Sequence, residues 1–290
     1  MRQLLVATDF SARSDRAIRR ASLIAHETGA SLSLVHVVDS DRPDYLVSID
    51  KEAAEKALVE LSQTIRDIDG IACSHGVSLD NPFEGIVAFA RLTQPDLLVI
   101  GSHRRQILRD AFMGTTAERV IRYSPMPVLM ANGMPTGPYR HVMAATDLSA
   151  PSARAVGIMA RLELASHAKL SLVRTIGIPE VGLMMRAPAS LQDIERHIEA
   201  RKAAATEDLR VFARTLPLAP HHVEVQAEGG TTAATILQAA AASNVDLLVI
   251  GTRGQSGLSR LLLGSVAAAV LQAATIDVLV VPPSEQGTAP

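Results

Sequence analysis

A glycine-rich stretch near the end of the chain has the residue types and spacing of a phosphate-binding loop. It reads Gly251-Thr-Arg-Gly254-Gln-Ser-Gly-Leu-Ser-Arg-Leu-Leu-Leu-Gly264-Ser265, between an apolar run that predicts a strand and an alanine-rich run that predicts a helix. Glycines let the backbone approach an anion closely, and the unpaired N–H groups of a helix start attract it. The stretch therefore predicts a nucleotide-phosphate site to which Ser265 adds a hydroxyl.

The chain contains two copies of one pattern. The repeated segments are Leu5–Ser11 with Met143–Ser149, Pro95–Ser102 with Val245–Thr252, and Pro127–Met130 with Asp277–Val280. A turn-rich segment, Asn132–Pro138, separates the copies and reads as a linker. We therefore predict two tandem domains, residues 1–133 and 138–284.

Each copy alternates apolar strands with helices, which predicts an α/β fold of two tandem five-stranded parallel-sheet domains. Ligands of such sheets bind beyond the carboxyl ends of the strands, where Asp9, Asp147, Gly101 and Gly251 all fall. In the second copy we expect a helix over Pro151–Ser166. Asp147 follows a strand and precedes this helix, so it is either a turn residue or a ligand contact; we favour the contact.

The second copy holds extra residues, which we place in Ile176–Ser190, rich in proline and glycine. This segment is interpreted either as a lid above the strand ends or as a surface loop. Its apolar cluster of Leu183, Met184 and Met185 suits adaptable contacts, but we favour packing against the sheet edge. A minor hypothesis is that two arginines of the glycine-rich stretch, Arg253 and Arg260, attract phosphate through their charge.

The bulk composition excludes several classes of protein. A net charge of −2 in 290 residues argues against a dedicated nucleic-acid binder. No apolar run is long enough for a membrane span, and the lone cysteine, Cys73, fits a reducing compartment. The histidines show no metal-ligand spacing, and neither a P-loop nor a dinucleotide fingerprint is present. We expect a cytoplasmic protein that binds neither nucleic acid nor membrane.

The pattern resembles the universal stress protein family. Gly251, Gly254, Gly264 and Ser265 match that family's Gly-2x-Gly-9x-Gly-(Ser/Thr) loop at every spacing, and both copies keep the strand-end Asp. The resemblance covers nearly the whole chain twice and implies the adenine nucleotide alpha hydrolase-like, Rossmann-like fold. It also implies that the two domains meet through their last strands, so that one chain mimics a dimer, and it is compatible with a homodimer of chains.

The resemblance implies a role for each matching position of the second copy. Asp147 would lie beside the adenosine, and Thr175 would meet the base through its backbone. The three glycines, at 251, 254 and 264, would present backbone to ribose and phosphates, and Ser265 would bond phosphate oxygens. The nucleotide would be ATP, ADP or AMP, and Mg²⁺ would accompany it through the phosphates rather than through protein side chains.

The first copy departs from this pattern. Its matching positions are Asp9, Val37, Gly101, Arg104, Gly114 and Thr115. Arg104 stands where the second copy has Gly254, so its side chain should block close approach by a nucleotide. The alternatives are that it swings outward to pair with phosphate, or that a loop arginine occupies the anion site itself. We favour a degenerate site that binds no nucleotide.

Two functions remain open at this point. The first, implied by the resemblance, is ATP binding mainly in the C-terminal domain, with stress adaptation through nucleotide-dependent conformation or binding of a protein partner. The alternative is a nucleotide-free scaffold or an apolar-ligand binder that works through Ile176–Ser190. Weak ATP hydrolysis ranks third, because Asp147 alone presents itself as a general base and adenosine has the stronger claim on it.

Overall fold

The computed structural model describes residues 1–102, 116–186, 190–252 and 263–283. Within these residues the first half alternates five strands with four helices. In chain order they are β1 (Gln3–Ala7), α1 (Ala12–Thr28), β2 (Ser31–Val38), α2 (Asp44–Asp69), β3 (Cys73–Leu79), α3 (Pro82–Thr93), β4 (Leu97–Gly101), α4 (Thr116–Tyr123) and β5 (Val128–Ala131). Helices α1 and α2 end where Gly29 and Gly70 adopt a left-handed conformation that glycine accepts without strain.

The second half repeats the order with one addition. Its elements are β6 (His141–Ala145), α5 (Ala150–Arg161), β7 (Lys169–Ile176), α6 (Pro179–Met184), α7 (Leu191–Ala213), β8 (His222–Ala227), α8 (Thr232–Ala242), β9 (Leu247–Gly251), α9 (Ser265–Ala273) and β10 (Asp277–Val281). The short helix α6 has no counterpart among the described residues of the first half. It lies in the segment where the sequence predicts extra residues.

Two expectations from the sequence are wrong in this half. Helix α5 ends at Arg161 rather than Ser166, because the chain turns at Glu163, whose φ of 60° is left-handed. The apolar cluster in the extra segment does not pack against the sheet edge, since Leu183 and Met185 are 67% and 71% exposed. Leu183 of α6 and Met185 directly after it face solvent, whereas Met184 is half-buried, so most of the cluster is surface and not core.

The strands form one ten-stranded sheet in the order β3-β2-β1-β4-β5-β10-β9-β6-β7-β8. Within each half the neighbouring strands run parallel, as the α/β alternation predicts. At the centre β5 and β10 pair antiparallel, with Leu129 opposite Leu279. The expectation that the two halves meet through their last strands is thereby confirmed, and the two parallel sheets continue into one another.

Alternation along each strand produces two cores, one on each face of the sheet. Leu4 and Val6 point into the first core with Leu279, against α1, α2, α5 and α7. Leu5 points into the second core with Met143 and Val278, against α3, α4, α8 and α9. Because each core contains residues of both halves, the halves pack as one body around the β5–β10 junction.

A buried polar cluster closes this junction on the α1 side. The fully buried Asp277 at the start of β10 forms an ion pair with Arg20 of α1, with Nε and Oδ2 2.7 Å apart. Tyr139 donates its hydroxyl to the same carboxylate oxygen at 2.7 Å, and the Arg20 guanidinium lies over the Tyr139 ring. The other oxygen accepts the backbone N–H groups of Asn132 and Gly133. One carboxylate thus joins α1, the linker and β10.

We predict that Asp277→Asn destabilises the chain by about 3 kcal/mol or more, because the buried guanidinium of Arg20 loses its counter-charge. Urea unfolding measures the change. Arg19→Met is the matched control, since Arg19 pairs with Asp15 on the exposed side of the same helix and should cost ~0.5 kcal/mol or less. Equal costs for the two variants would show that the cluster does not hold the junction.

Cys73 opens the edge strand β3 and is buried, with 8% of its surface exposed. Burial raises the pKa of its thiol to about 11, and the nearby charge of Arg66 offsets only part of this effect. The thiolate is the reactive form of cysteine, so burial makes this side chain chemically inert in the folded protein. Cys73 is therefore a small apolar core residue and not a nucleophile.

We predict that a thiol reagent at pH 8 labels Cys73 of the folded chain at least ~100-fold more slowly than the urea-unfolded chain. The thiolate fraction alone falls by roughly this factor when the pKa rises by two units, and burial slows the reaction further. The single cysteine makes the labelling rate unambiguous. Comparable rates in the two states would place the thiol at the surface.

Candidate functional site in the second half

The topology places the candidate site at the carboxyl edge of the sheet between β6 and β9. These strands are neighbours, with Val142 opposite Leu247. Helix α5 leaves β6 on one face of the sheet, and α9 follows β9 on the other, as their places in the two separate cores show. Because the chain leaves these two neighbouring strands towards opposite faces, space remains between the two connections. Open α/β sheets bind ligands at such positions.

The β6–α5 turn places Asp147 at one side of this candidate site. Thr146 accepts the Leu148 N–H on its hydroxyl at 2.9 Å, and Leu148 takes a left-handed φ of 65°. Asp147 accepts the Ser149 N–H at 3.1 Å, and Ser149 caps α5 by accepting the Ser152 N–H. The turn holds the half-buried Asp147 in place by a backbone hydrogen bond, which agrees with a turn role and leaves the ligand role a prediction.

The two ends of the glycine-rich loop meet beside the end of β9. Gly251 ends β9, and the next residue, Thr252, donates its N–H to Val281 at 3.1 Å. Gly264 then donates its N–H to the Thr252 carbonyl at 2.8 Å, directly before α9 begins at Ser265. The two ends of the loop are therefore fixed side by side. Gly254 and the rest of 253–262 lie outside the described residues.

The start of α9 is suited to an anion. Gly264 is its N-cap and has no side chain to accept a hydrogen bond from the first-turn N–H groups, and no acidic residue stands in that turn. Ser265 is exposed at the first helical position. Helix N-termini with free N–H groups attract phosphate through hydrogen bonds and the helix dipole.

Thr175 lies near the carboxyl end of β7, opposite Gln226 of β8. Strand β6 lies between β7 and β9, so Gly251 and Thr175 are two strand spacings apart, about 10 Å. Asp147 follows the strand between them. The fold thus brings three of the predicted residues, Asp147, Thr175 and Gly251, to one edge of three consecutive strands, beside the start of α9.

The matching aspartate of the first half has different surroundings. Burial acts to raise the pKa of Asp9, but hydrogen bonds from Ser11 and Ser14 and the charge of Arg13 outweigh it, so the pKa is lowered. The Arg13 guanidinium lies 3.6 Å from the Asp9 carboxylate. Pro151 stands at the position of Arg13 in the second half. Asp9 is already engaged by a local cation.

Other matching positions of the first half have packing explanations. A Cβ at Gly101 would lie 2.8 Å from the backbone of Arg13, so only glycine fits against α1 there. Val37, which matches Thr175, packs closely against α3, since a Cβ at Gly85 of that helix would lie 2.6 Å from the Val37 side chain. A glycine at the end of β4 is therefore required by the fold and is not by itself a sign of ligand binding. Arg104, Gly114 and Thr115 lie outside the described residues.

One cavity was not predicted from the sequence. It measures about 500 Å³, lies between β2 and α2, and is bordered by Val37 and by Phe10 stacked on His36 at 4.6 Å. In the second half Arg174 takes the place of His36 and reaches Asp208 of α7 at 3.1 Å. Comparing the two copies position by position would have signalled this difference. The cavity lies beside β2, the neighbour of β1 in the sheet.

Metal and membrane sites find no support in the described ranges. No group of three or more histidine, cysteine, aspartate or glutamate side chains is arranged to hold a metal ion there. The helices within the same ranges include none long and apolar enough to cross a bilayer.

The comparisons with known proteins agree with the repeat. A model of the universal stress protein family matches residues 1–132 and again 138–282. A universal stress protein of Mycolicibacterium smegmatis is 25% identical over 297 residues, with 97% of both chains covered. Universal stress protein A homolog 1 of Coxiella burnetii is 33% identical over 150 residues, covering 49% of this chain and 96% of the relative.

Among solved structures, that of a functionally unknown protein from Pseudomonas aeruginosa PAO1 has a TM-score of 0.72 at 23% identity, covering 98% of this chain and 94% of the other. At that identity the likeness concerns the fold alone, and it extends over both halves. Since the family model matches each half in turn, the chain belongs to the universal stress protein family and carries two copies of its domain.

Proposed function

We propose that the second half binds ATP or a related adenine nucleotide at the carboxyl edge of the sheet between β6 and β9. The nucleotide would control the conformation of the chain, or its binding to a protein partner, during stress adaptation. The observation that carries this proposal is the hydrogen bond from Gly264 to Thr252. It fixes the ends of the glycine-rich loop beside the start of α9, the position in which a phosphate chain would be held.

Each predicted residue has a role that its position supports. The first-turn N–H groups of α9 and the hydroxyl of Ser265 would hold the phosphates. Asp147 would accept hydrogen bonds from the ribose, and the backbone at Thr175, two strands from Gly251, would meet the base. The first turn of α9 offers no carboxylate, so Mg²⁺ would be held by phosphate oxygens and would neutralise their charge.

The first half would act as a structural partner. Its strand-end carboxylate, Asp9, is paired with Arg13, and its loop has Arg104 in place of a glycine. Both differences disfavour a second bound nucleotide. The proposal assigns binding to this protein and no chemical step, because an Asp147 that accepts hydrogen bonds from adenosine would not serve as a general base.

An alternative function follows from the surface of the extra segment. Leu183, Met185 and Leu191 are 67%, 71% and 76% exposed beside α6. Exposed apolar side chains in one region are typical of contact surfaces. The chain would then work as a nucleotide-free scaffold or apolar-ligand binder, and binding would not depend on the glycine-rich loop.

We predict that Ser265→Ala weakens ATP binding by roughly 10- to 150-fold, because a hydrogen bond to a charged group contributes about 1.5 to 3 kcal/mol and each 1.4 kcal/mol is about a factor of ten. Gly264→Val should weaken it further, because a branched side chain would crowd the phosphates at the helix start. Isothermal titration calorimetry with ATP and Mg²⁺ measures both effects.

Thr115→Ala is the matched control, since Thr115 occupies the position of Ser265 in the first copy. Its ATP affinity should equal that of the unaltered chain. If Gly264→Val and Ser265→Ala bind ATP as tightly as this control, the glycine-rich loop is not the site and the scaffold function is favoured.

A further inference from the structure

A groove runs along the outer side of α3 and α4 in the first half. It has a volume of about 490 Å³. Its lining residues are Asp80, Phe83, Glu84, Val87, Ala88, Arg91, Arg119 and Tyr123. The α3 residues that line it recur at three- and four-residue intervals and so form one stripe of the helix surface.

Aromatic and cationic side chains shape the groove. The Arg119 guanidinium lies 3.4 Å from the centre of the Phe83 ring, and the rings of Phe83 and Tyr123 are 5.8 Å apart. Phe83 is buried, whereas Tyr123 is 38% exposed. The floor is therefore part of the core, and the rim consists of an aromatic ring and a guanidinium that solvent reaches.

The second copy of the domain shows that the fold does not need these side chains. Five of the eight lining positions match an alanine on α8 or α9. In the order Phe83, Glu84, Arg91, Arg119 and Tyr123, the counterparts are Ala233, Ala234, Ala241, Ala269 and Ala273. The same strands and helices form with alanine at all five positions. The five larger side chains are thus a feature of the first half and not of the architecture.

Along α3 the groove carries opposite charges at its two ends, and across it the Arg119 guanidinium of α4 lies over the ring of Phe83, the chain neighbour of Glu84. Asp80 and Glu84 lie at the start of α3, and Arg91 lies in its last turn. Among the described residues, neither Arg91 nor Glu84 forms an ion pair. They are seven residues apart on α3, a rise of about 10 Å, which three to four residues of extended peptide would span.

We propose that this groove binds an extended peptide segment of a partner protein. A cationic side chain of the segment would face Asp80 and Glu84, an apolar one would rest between Val87 and Tyr123, and a carboxylate would face Arg91. The alternation of charge, apolar surface and opposite charge is complementary to such a segment. A polyanion such as nucleic acid or an acidic membrane would meet two carboxylates at one end.

The test begins with a phage-displayed library of random linear heptapeptides. The library is panned on the immobilised full-length chain after depletion on the Arg91→Glu variant. We expect enriched peptides with a basic, an apolar and an acidic residue in that order. If no peptide is enriched on the unaltered chain relative to the Arg91→Glu variant, the proposal is overturned.

Fluorescence anisotropy of a labelled enriched peptide then measures the contacts. We expect binding at least tenfold weaker for Arg91→Glu, restored when the acidic residue of the peptide is replaced by lysine. Ala241→Glu, the matching position of the second half, should leave binding unchanged. Arg91 and Ala241 are both exposed, so both variants should fold, and equal urea midpoints verify this.

Two outcomes of this experiment contradict the proposal. Equal affinity of the peptide for the unaltered chain and for Arg91→Glu would place the contact elsewhere. Binding of duplex DNA or of phosphatidylserine vesicles that is lost in Arg91→Glu would assign the surface to an anionic partner instead of a peptide.

Discussion

The buried carboxylate of Asp277 is the constraint on which the arrangement of the two halves depends. It joins α1 through Arg20, the linker through Tyr139 and two backbone N–H groups, and β10 through its own chain. A buried ion pair of this kind contributes stability only when each charge keeps its partner, so it also specifies which surfaces may meet. The contact lies directly before the antiparallel pairing of β5 with β10, which the two cores cross.

The cluster occurs on one side of an otherwise symmetrical junction. Arg16 and Arg154, which match one another in the two copies, each donate to a backbone carbonyl just beyond the last strand, at Asn132 and Pro282. Arg20, in contrast, is matched by Ile158, and Asp277 is matched by Pro127. The same asymmetry appears at the strand ends and on the outer helices. The two copies share one scaffold, and their side chains differ at these positions.

The repeat, the α/β alternation and the position of Asp147 and Gly251 at strand ends could be predicted because each is a local pattern of apolar runs and glycines. The junction cluster could not, since Arg20 and Asp277 are far apart in sequence and no periodicity relates them. Helix α6 was missed because Pro179 and Gly182 mark a loop in any local interpretation, although a proline at the first helical position is compatible with a helix. The α3–α4 groove could have been predicted from the sequence, because an alignment of the two copies places Phe83 and Arg119 opposite alanines.

The central claim is that one of two homologous domains binds an adenine nucleotide while the other serves as its structural partner. Native mass spectrometry of the freshly purified chain, followed by titration with ATP and Mg²⁺, tests it most directly. The account predicts a saturating mass increase of one nucleotide per chain, which requires a higher ATP concentration in Gly264→Val. Two nucleotides per chain would contradict the assignment of the first half, and none at saturating ATP would contradict nucleotide binding altogether.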